Sequence, residues 1–163
     1  MALIVEDGSG LADAEAYISV ADADAYFAAR GNEAWAALTT EKKEQALRLG
    51  ADYMGQAYGP RWCGERATTT QALDWPRTGV CGVADDVVPV PVQRANAELA
   101  VRASTGTALL ADQGVQVVSE TVGPISVTYA AGARQDVRYA AVDSALVAAG
   151  LLCGGSQIRV VRA

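Results

Sequence analysis

A tryptophan joined to a proline sets the tightest constraint on this chain. Trp75-Pro76 lies in the stretch Thr69-Thr70-Gln71-Ala72-Leu73-Asp74-Trp75-Pro76-Arg77-Thr78-Gly79-Val80, between the two longest helical patterns. Proline fixes its own φ and pushes the residue before it out of the helical region, so no helix runs through this point. Asp74 is suited to accept main-chain hydrogen bonds in a turn, and Gly79 to take a positive φ. Asp74, Trp75, Pro76 and Arg77 read together as a structural elbow that packs the helix before it against the helix after it. The Trp75 indole is its large apolar anchor.

The patterns on either side are helical. Ser19-x-x-Asp22 is a capping-box-like start for a helix that Gly31 stops after Arg30, with Tyr26 and Phe27 on its buried side. A short turn follows around Glu33–Leu38, with Trp35 inward. Thr39 or Thr40 caps a helix from Glu41 to about Ala57. Its apolar stripe is Ala46, Leu47, Gly50, Tyr53, Met54 and Ala57, and Glu44, Arg48 and Asp52 form its wet face. Gly50 and Gly55 cost helix stability, which implies a close neighbour at that face. Beyond the elbow, Pro91 opens a helix from about Val92 to Ser104. Val92, Ala95, Leu99 and Ala103 face its core, and Arg94, Glu98 and Arg102 make an exposed ladder.

Further on the composition changes. Val115–Thr121 and Ile125–Tyr129, joined by Val122-Gly123-Pro124, read as a β-hairpin. A last helix near Ala141–Ala149 stops at Gly150. Gly154-Gly155-Ser156 is a flexible link, and Gln157-Ile158-Arg159-Val160-Val161-Arg162-Ala163 has strand composition. This tail either pairs with its own hairpin or leaves to add a strand to another protein. The expected fold is mainly α: a small helical bundle with a β-hairpin and an extended, strand-like C-terminal tail. Residues 1–152 form one domain with the hairpin inserted at about 115–129, and residues 153–163 form the hinge and tail.

Several chemistries are excluded. The 163 residues contain no histidine, which removes the commonest general base and metal ligand. Cys63, Cys81 and Cys153 are far apart and form no Cys-x-x-Cys, which argues against a disulfide framework and a structural zinc site. Gly8-x-Gly10 superficially resembles a phosphate loop, but its third glycine is missing and two acids stand beside it. A calcium loop on Asp7, Ser9 and Asp13 lacks the later bidentate glutamate. Asp85-Asp86 reads as a solvated turn. No enzyme, cofactor or metal is expected, and no apolar run spans a bilayer. The N-terminus lacks a signal-peptide pattern, so a cytosolic product is expected.

Net charge is −6 and uneven: residues 1–40 carry seven acids against the single base Arg30, and the rest carries twelve of each. An acidic surface repels phosphate. Against that background Arg61, Trp62 and Arg66 are the only local candidate for a stacking and phosphate-contacting platform, with Arg77 as an adjunct. The competing reading, a solvent-facing loop with Trp62 tucked into the core, is the favoured one.

The order of several stretches resembles a tailed-bacteriophage family. They are Leu3-Ile4-Val5-Glu6-Asp7-Gly8-Ser9-Gly10, Ala16-Tyr17-Ile18-Ser19, Ala25-Tyr26, Arg30-Gly31, and above all Gln71-Ala72-Leu73-Asp74-Trp75-Pro76-Arg77, followed by Val122-Gly123-Pro124-Ile125 and the Val142–Leu146 helix. Members carry two labels: head–tail connector (adaptor) proteins, and DnaT-like single-stranded-DNA-binding proteins. The connector resemblance implies a small helical adaptor forming a ring, a dodecamer, beneath the portal protein. The next neck or tail-completion protein would attach below, and packaged DNA would pass through without specific binding. It implies a location in the virion neck after synthesis in the host cytoplasm, with no membrane. The C-terminal segment would run up into the portal, which makes Gln157, Ile158, Arg159, Val160, Val161 and Arg162 the candidate portal-binding residues. The acid-rich residues 1–40 would be candidates to face the channel. The alternative is single-stranded-DNA binding through Arg61, Trp62 and Arg66.

Overall fold

The computed structural model describes residues 2–106, 108–110, 119–122, 125–128 and 139–153. The candidate portal-binding residues Gln157–Arg162, the Gly154-Gly155-Ser156 link and the Gly123-Pro124 turn lie outside them. Five helices and two small antiparallel strand pairs make up the described fold: α1 Val20–Ala28, α2 Glu33–Ala36, α3 Thr40–Tyr58, β1 Glu65–Arg66, β2 Arg77–Thr78, α4 Val90–Ala103, β3 Ser119–Val122, β4 Ile125–Thr128 and α5 Ala140–Ala148. The mainly helical fold with a hairpin is therefore as expected. In the hairpin, Val122 pairs with Ile125 and Ser119 with Thr128.

The helix starts follow local capping. Ser19 Oγ accepts the Asp22 N–H at 3.1 Å, Asn32 Oδ1 accepts the Trp35 N–H at 3.0 Å, and Thr39 Oγ1 accepts the Lys42 N–H. These side chains meet amides that have no partner in the first turn. Helix α1 closes two residues earlier than Arg30, and α4 opens at Val90 with Pro89 as its cap.

Helices α3 and α4 make the most extensive contact among the described elements. Two apolar clusters flank it. One joins Tyr17, Met54, Trp62, Trp75, Val92, Leu99, Leu146 and Leu151, and so ties the elbow and α5 to both long helices. The other holds Phe27 and Trp35 against Leu47 and Ala97. Trp75 and Trp35 are 0% and 1% exposed, so both are core anchors.

At Gly50 the backbones of α3 and α4 lie in close contact. A Cβ there would lie 2.7 Å from Asn96 Nδ2 and 2.9 Å from the Asn96 carbonyl oxygen. Asn96 is fully buried, accepts the Tyr17 N–H at 3.0 Å and donates to the Leu47 carbonyl at 2.9 Å. One amide side chain thus joins both helices and the N-terminal segment. Gly50→Ala gains about 1 kcal/mol of helix propensity but forces a clash with main-chain atoms that costs more. We expect a net loss of about 1–2 kcal/mol, seen as a melting temperature about 2–8 °C lower. An unchanged or higher value would mean that the two helices have room for a methyl group at this point.

Cysteine placement differs from expectation. Cys63 and Cys153 are bonded across a sequence separation of 90, and Cys81 is free and exposed. Spacing along the chain carried no hint of this, because tertiary pairing creates it. Trp62 and Leu152 form an antiparallel bridge, and the Cys63 and Cys153 amides donate to the Leu151 and Arg61 carbonyls at 2.9 and 2.7 Å. Cys153, where the hinge was expected to begin, is thereby tied to the body.

Candidate functional site

The connection between α3 and α4 is organised inward. Arg77, at the end of the elbow, is 7% exposed. Its Nε donates to the Cys63 carbonyl at 2.8 Å, Nη2 to Gly64 at 2.7 Å and Nη1 to Asp74 at 3.1 Å. Burial lowers the pKa of this guanidinium. Gln71 is equally enclosed: its amide donates to the Leu73 and Pro76 carbonyls at 2.8 and 3.0 Å and accepts the Thr68 N–H at 2.8 Å. Strand β1 pairs with β2 through Glu65–Thr78 and Arg66–Arg77, closing the segment into a plug. The Trp75-Pro76 peptide within it is cis. Asp74 takes a different role from the one expected. Its carboxylate accepts the Trp62 indole N–H at 3.1 Å, and its main-chain N–H donates to the Tyr17 hydroxyl at 3.0 Å.

The three residues of the DNA-binding alternative are brought near this plug but not onto a common open face. Trp62 is 5% exposed and packs edge-on to Trp75, so the core position favoured from sequence is the observed one. Arg61 pairs with Asp143 on α5 at 2.8 Å. Arg66 donates to the Gln71 and Leu73 carbonyls. Arg66 is exposed and uses only Nη2 in these bonds; an arginine bonded to the fold's own acceptors has fewer donors to turn towards a phosphate.

The glycine-containing N-terminal loop is likewise occupied by its own chain. Glu6, 3% exposed, accepts the N–H groups of Gly8 and Gly10 on Oε1 and of Leu11 on Oε2, each at 2.9 Å. Convergent amides of this kind make an anion site, and here the anion is an internal carboxylate. Two further acids of residues 1–40 are bonded internally. Glu15 meets Arg48 at 2.8 Å, which holds its carboxyl below the usual range, and Asp24 meets Lys43 at 2.9 Å. Arg48 was placed with Glu44 and Asp52 on the wet face of its helix; its Glu44 contact is the longer one, at 3.7 Å. Among the described residues no group of three or more His, Cys, Asp or Glu is placed to hold a metal, and no helix is long and apolar enough to cross a membrane.

An open groove remains elsewhere, about 440 Å³ in volume, between α1, α4 and α5. Tyr26 enters it from α1 and Arg30 from the turn that follows, Arg94 and Glu98 from α4, and Ala141 and Ala145 from α5. The Arg30 guanidinium lies 3.6 Å from the Tyr26 ring centre and that of Arg94 5.9 Å from the same ring. Glu98 accepts the Tyr26 hydroxyl at 3.1 Å and pairs with Arg102 at 2.9 Å. Burial, with the Glu98 charge beside it, raises the Tyr26 pKa, so the hydroxyl stays a donor. The sequence reading placed Tyr26 in the core and Arg94 in a solvent ladder. The four-residue spacing of Tyr26 and Arg30 was the available signal: Arg30, in the turn just past α1, folds back over Tyr26 and donates to its carbonyl at 2.9 Å.

The whole chain, residues 1–163, matches the family described as "Putative DnaT-like ssDNA binding protein". The chain belongs to this family. No curated protein and no solved structure matches it. In this member of the DnaT-like family, arginine lies over an aromatic ring both in the Tyr26 groove and at Arg61, 5.6 Å from the Tyr58 ring centre, and the arginines flanking Trp62 are bonded within the fold.

Proposed function

We propose that the chain is a structural head–tail connector subunit of a tailed phage. Copies assemble as a ring, a dodecamer by resemblance, beneath the portal protein and link the capsid to the next neck or tail-completion protein. Its place is the virion neck. The observation that carries this reading is that Trp62 and Arg77 are buried, Arg61 is paired with Asp143, and the exposed Arg66 donates to main-chain carbonyls of its own loop. The most recognisable motif serves as a rigid plug, not as an open cationic platform. The formal charge of −6 also suits a channel that duplex must traverse without being held.

Single-stranded-DNA binding is the second reading, favoured by the family description. Within it, the groove of Tyr26, Arg30 and Arg94 is a better contact surface than Arg61, Trp62 and Arg66. One experiment separates the two. Purified protein is mixed with the phage's portal and imaged, and labelled single strands are titrated at low and moderate salt. A ring complex with weak strand binding supports the connector. Tight strand binding that falls steeply with salt, without a ring, supports the alternative. In the connector case, deleting residues 157–163 abolishes docking and leaves the melting temperature unchanged; docking that survives the deletion removes the tail from the proposal.

A further inference from the structure

We infer that the groove of Tyr26, Arg30 and Arg94 receives the Asp85-Asp86-Val87 loop of a second copy of this chain. The inference rests on the ring-forming role proposed above and names the contact that would build the ring. The groove is cationic where most of the charge excess is acidic. Arg30 and Arg94 share one aromatic ring, and neither forms an ion pair with a described residue. The nearby Glu98 carboxylate is compensated by Arg102. Two like charges beside one ring repel, and an anion between them relieves the repulsion. The floor, formed by Ala141 and Ala145, is small and apolar, so the occupant must bring apolar surface as well as negative charge.

The loop before α4 has both. Asp85 and Asp86 are exposed, with no bonded partner among the described residues, and Val87 beside them is 44% exposed. The buried Val88 and Pro89 anchor its base. The N-terminal loop buttresses it closely: a Cβ on Gly8, which has φ +103°, would lie 2.0 Å from the Asp86 carbonyl oxygen. A loop held in this way loses little freedom on docking. Groove and loop share no residue, although Pro91 of the groove follows the loop closely in sequence, so each copy can give one and receive the other in a head-to-tail contact.

Charge exchange tests the contact. Self-association and assembly on the portal are measured by mass photometry and sedimentation for full-length protein, for Arg30→Glu/Arg94→Glu, for Asp85→Lys/Asp86→Lys, and for the combined variant. Each pair alone should weaken association at least about tenfold, and the combination should restore it to within about threefold. All four changes are at exposed positions, so equal melting temperatures are the folding control. If wild type forms the ring and the groove variant forms it equally well, the contact is overturned and the connector role stands. If no portal ring forms but self-association still follows the exchange, the contact stands and the connector role fails. Wild type that stays monomeric with and without portal overturns both. Loss of salt-sensitive single-strand binding in the groove variant, without any change in association, assigns the groove to nucleic acid and overturns the contact.

Discussion

Arg77→Met is expected to lower stability by about 3 kcal/mol, read as a melting temperature about 6–12 °C lower. The guanidinium joins three main-chain carbonyls, of Cys63, Gly64 and Asp74, from a site 7% exposed. Those carbonyls belong to irregular chain and have no ladder to satisfy them. Methionine fills much of the same volume without donors, so the loss isolates the hydrogen bonds from the cavity. Each orphaned acceptor costs about 1–3 kcal/mol, and release of a buried charge offsets part of the sum. Arg77→Lys should recover less than half, because an ammonium cannot span three divergent acceptors in one plane. Thermal denaturation of the three proteins checks this. A Met variant that melts within 2 °C of wild type would return Arg77 to the list of residues free to meet a partner.

The inward role of Arg77 marks the boundary of what local rules could read. Caps at Ser19 and Thr39, the α3 stripe through Leu47 and Met54, and the core positions of Trp62 and Trp75 follow from periodicity and turn chemistry, which act within a few residues. The fate of an arginine in a loop depends on which carbonyls the rest of the chain leaves unpaired. Nothing near Arg61, Arg66 or Arg77 encodes that. Asn96 shows the same limit: it sat unremarked on a helix whose apolar stripe was legible, and its partners, Tyr17 and Leu47, come from two distant segments. The Cys63–Cys153 bond needed the Trp62–Leu152 bridge to exist first. The groove is not encoded locally, because its residues come from three helices and the turn after α1, and each has a sound local role of its own.

The N-terminal loop was half legible, and it leads to the other large effect. Two acids beside Gly8-x-Gly10 argued against a bound phosphate, and the structure supplies the mechanism: Glu6 folds back onto the amides of Gly8, Gly10 and Leu11. Glu6→Ala removes three charge-assisted bonds, and water can reach only part of the vacancy. A loss of about 2–4 kcal/mol is expected, with accelerated amide exchange at those three residues. Glu6→Gln keeps the shape and one acceptor oxygen but sets an NH2 against an amide N–H, so it should lose about half as much. Because convergent amides bind anions whatever their source, millimolar inorganic phosphate should restore part of the melting temperature of the Ala variant and leave wild type unaffected. Equal phosphate responses in the two proteins, or an Ala variant as stable as wild type, would mean that the loop is held by something other than its own carboxylate. The buttress beneath Asp85-Asp86 would then need another origin, since that loop leans on Gly8.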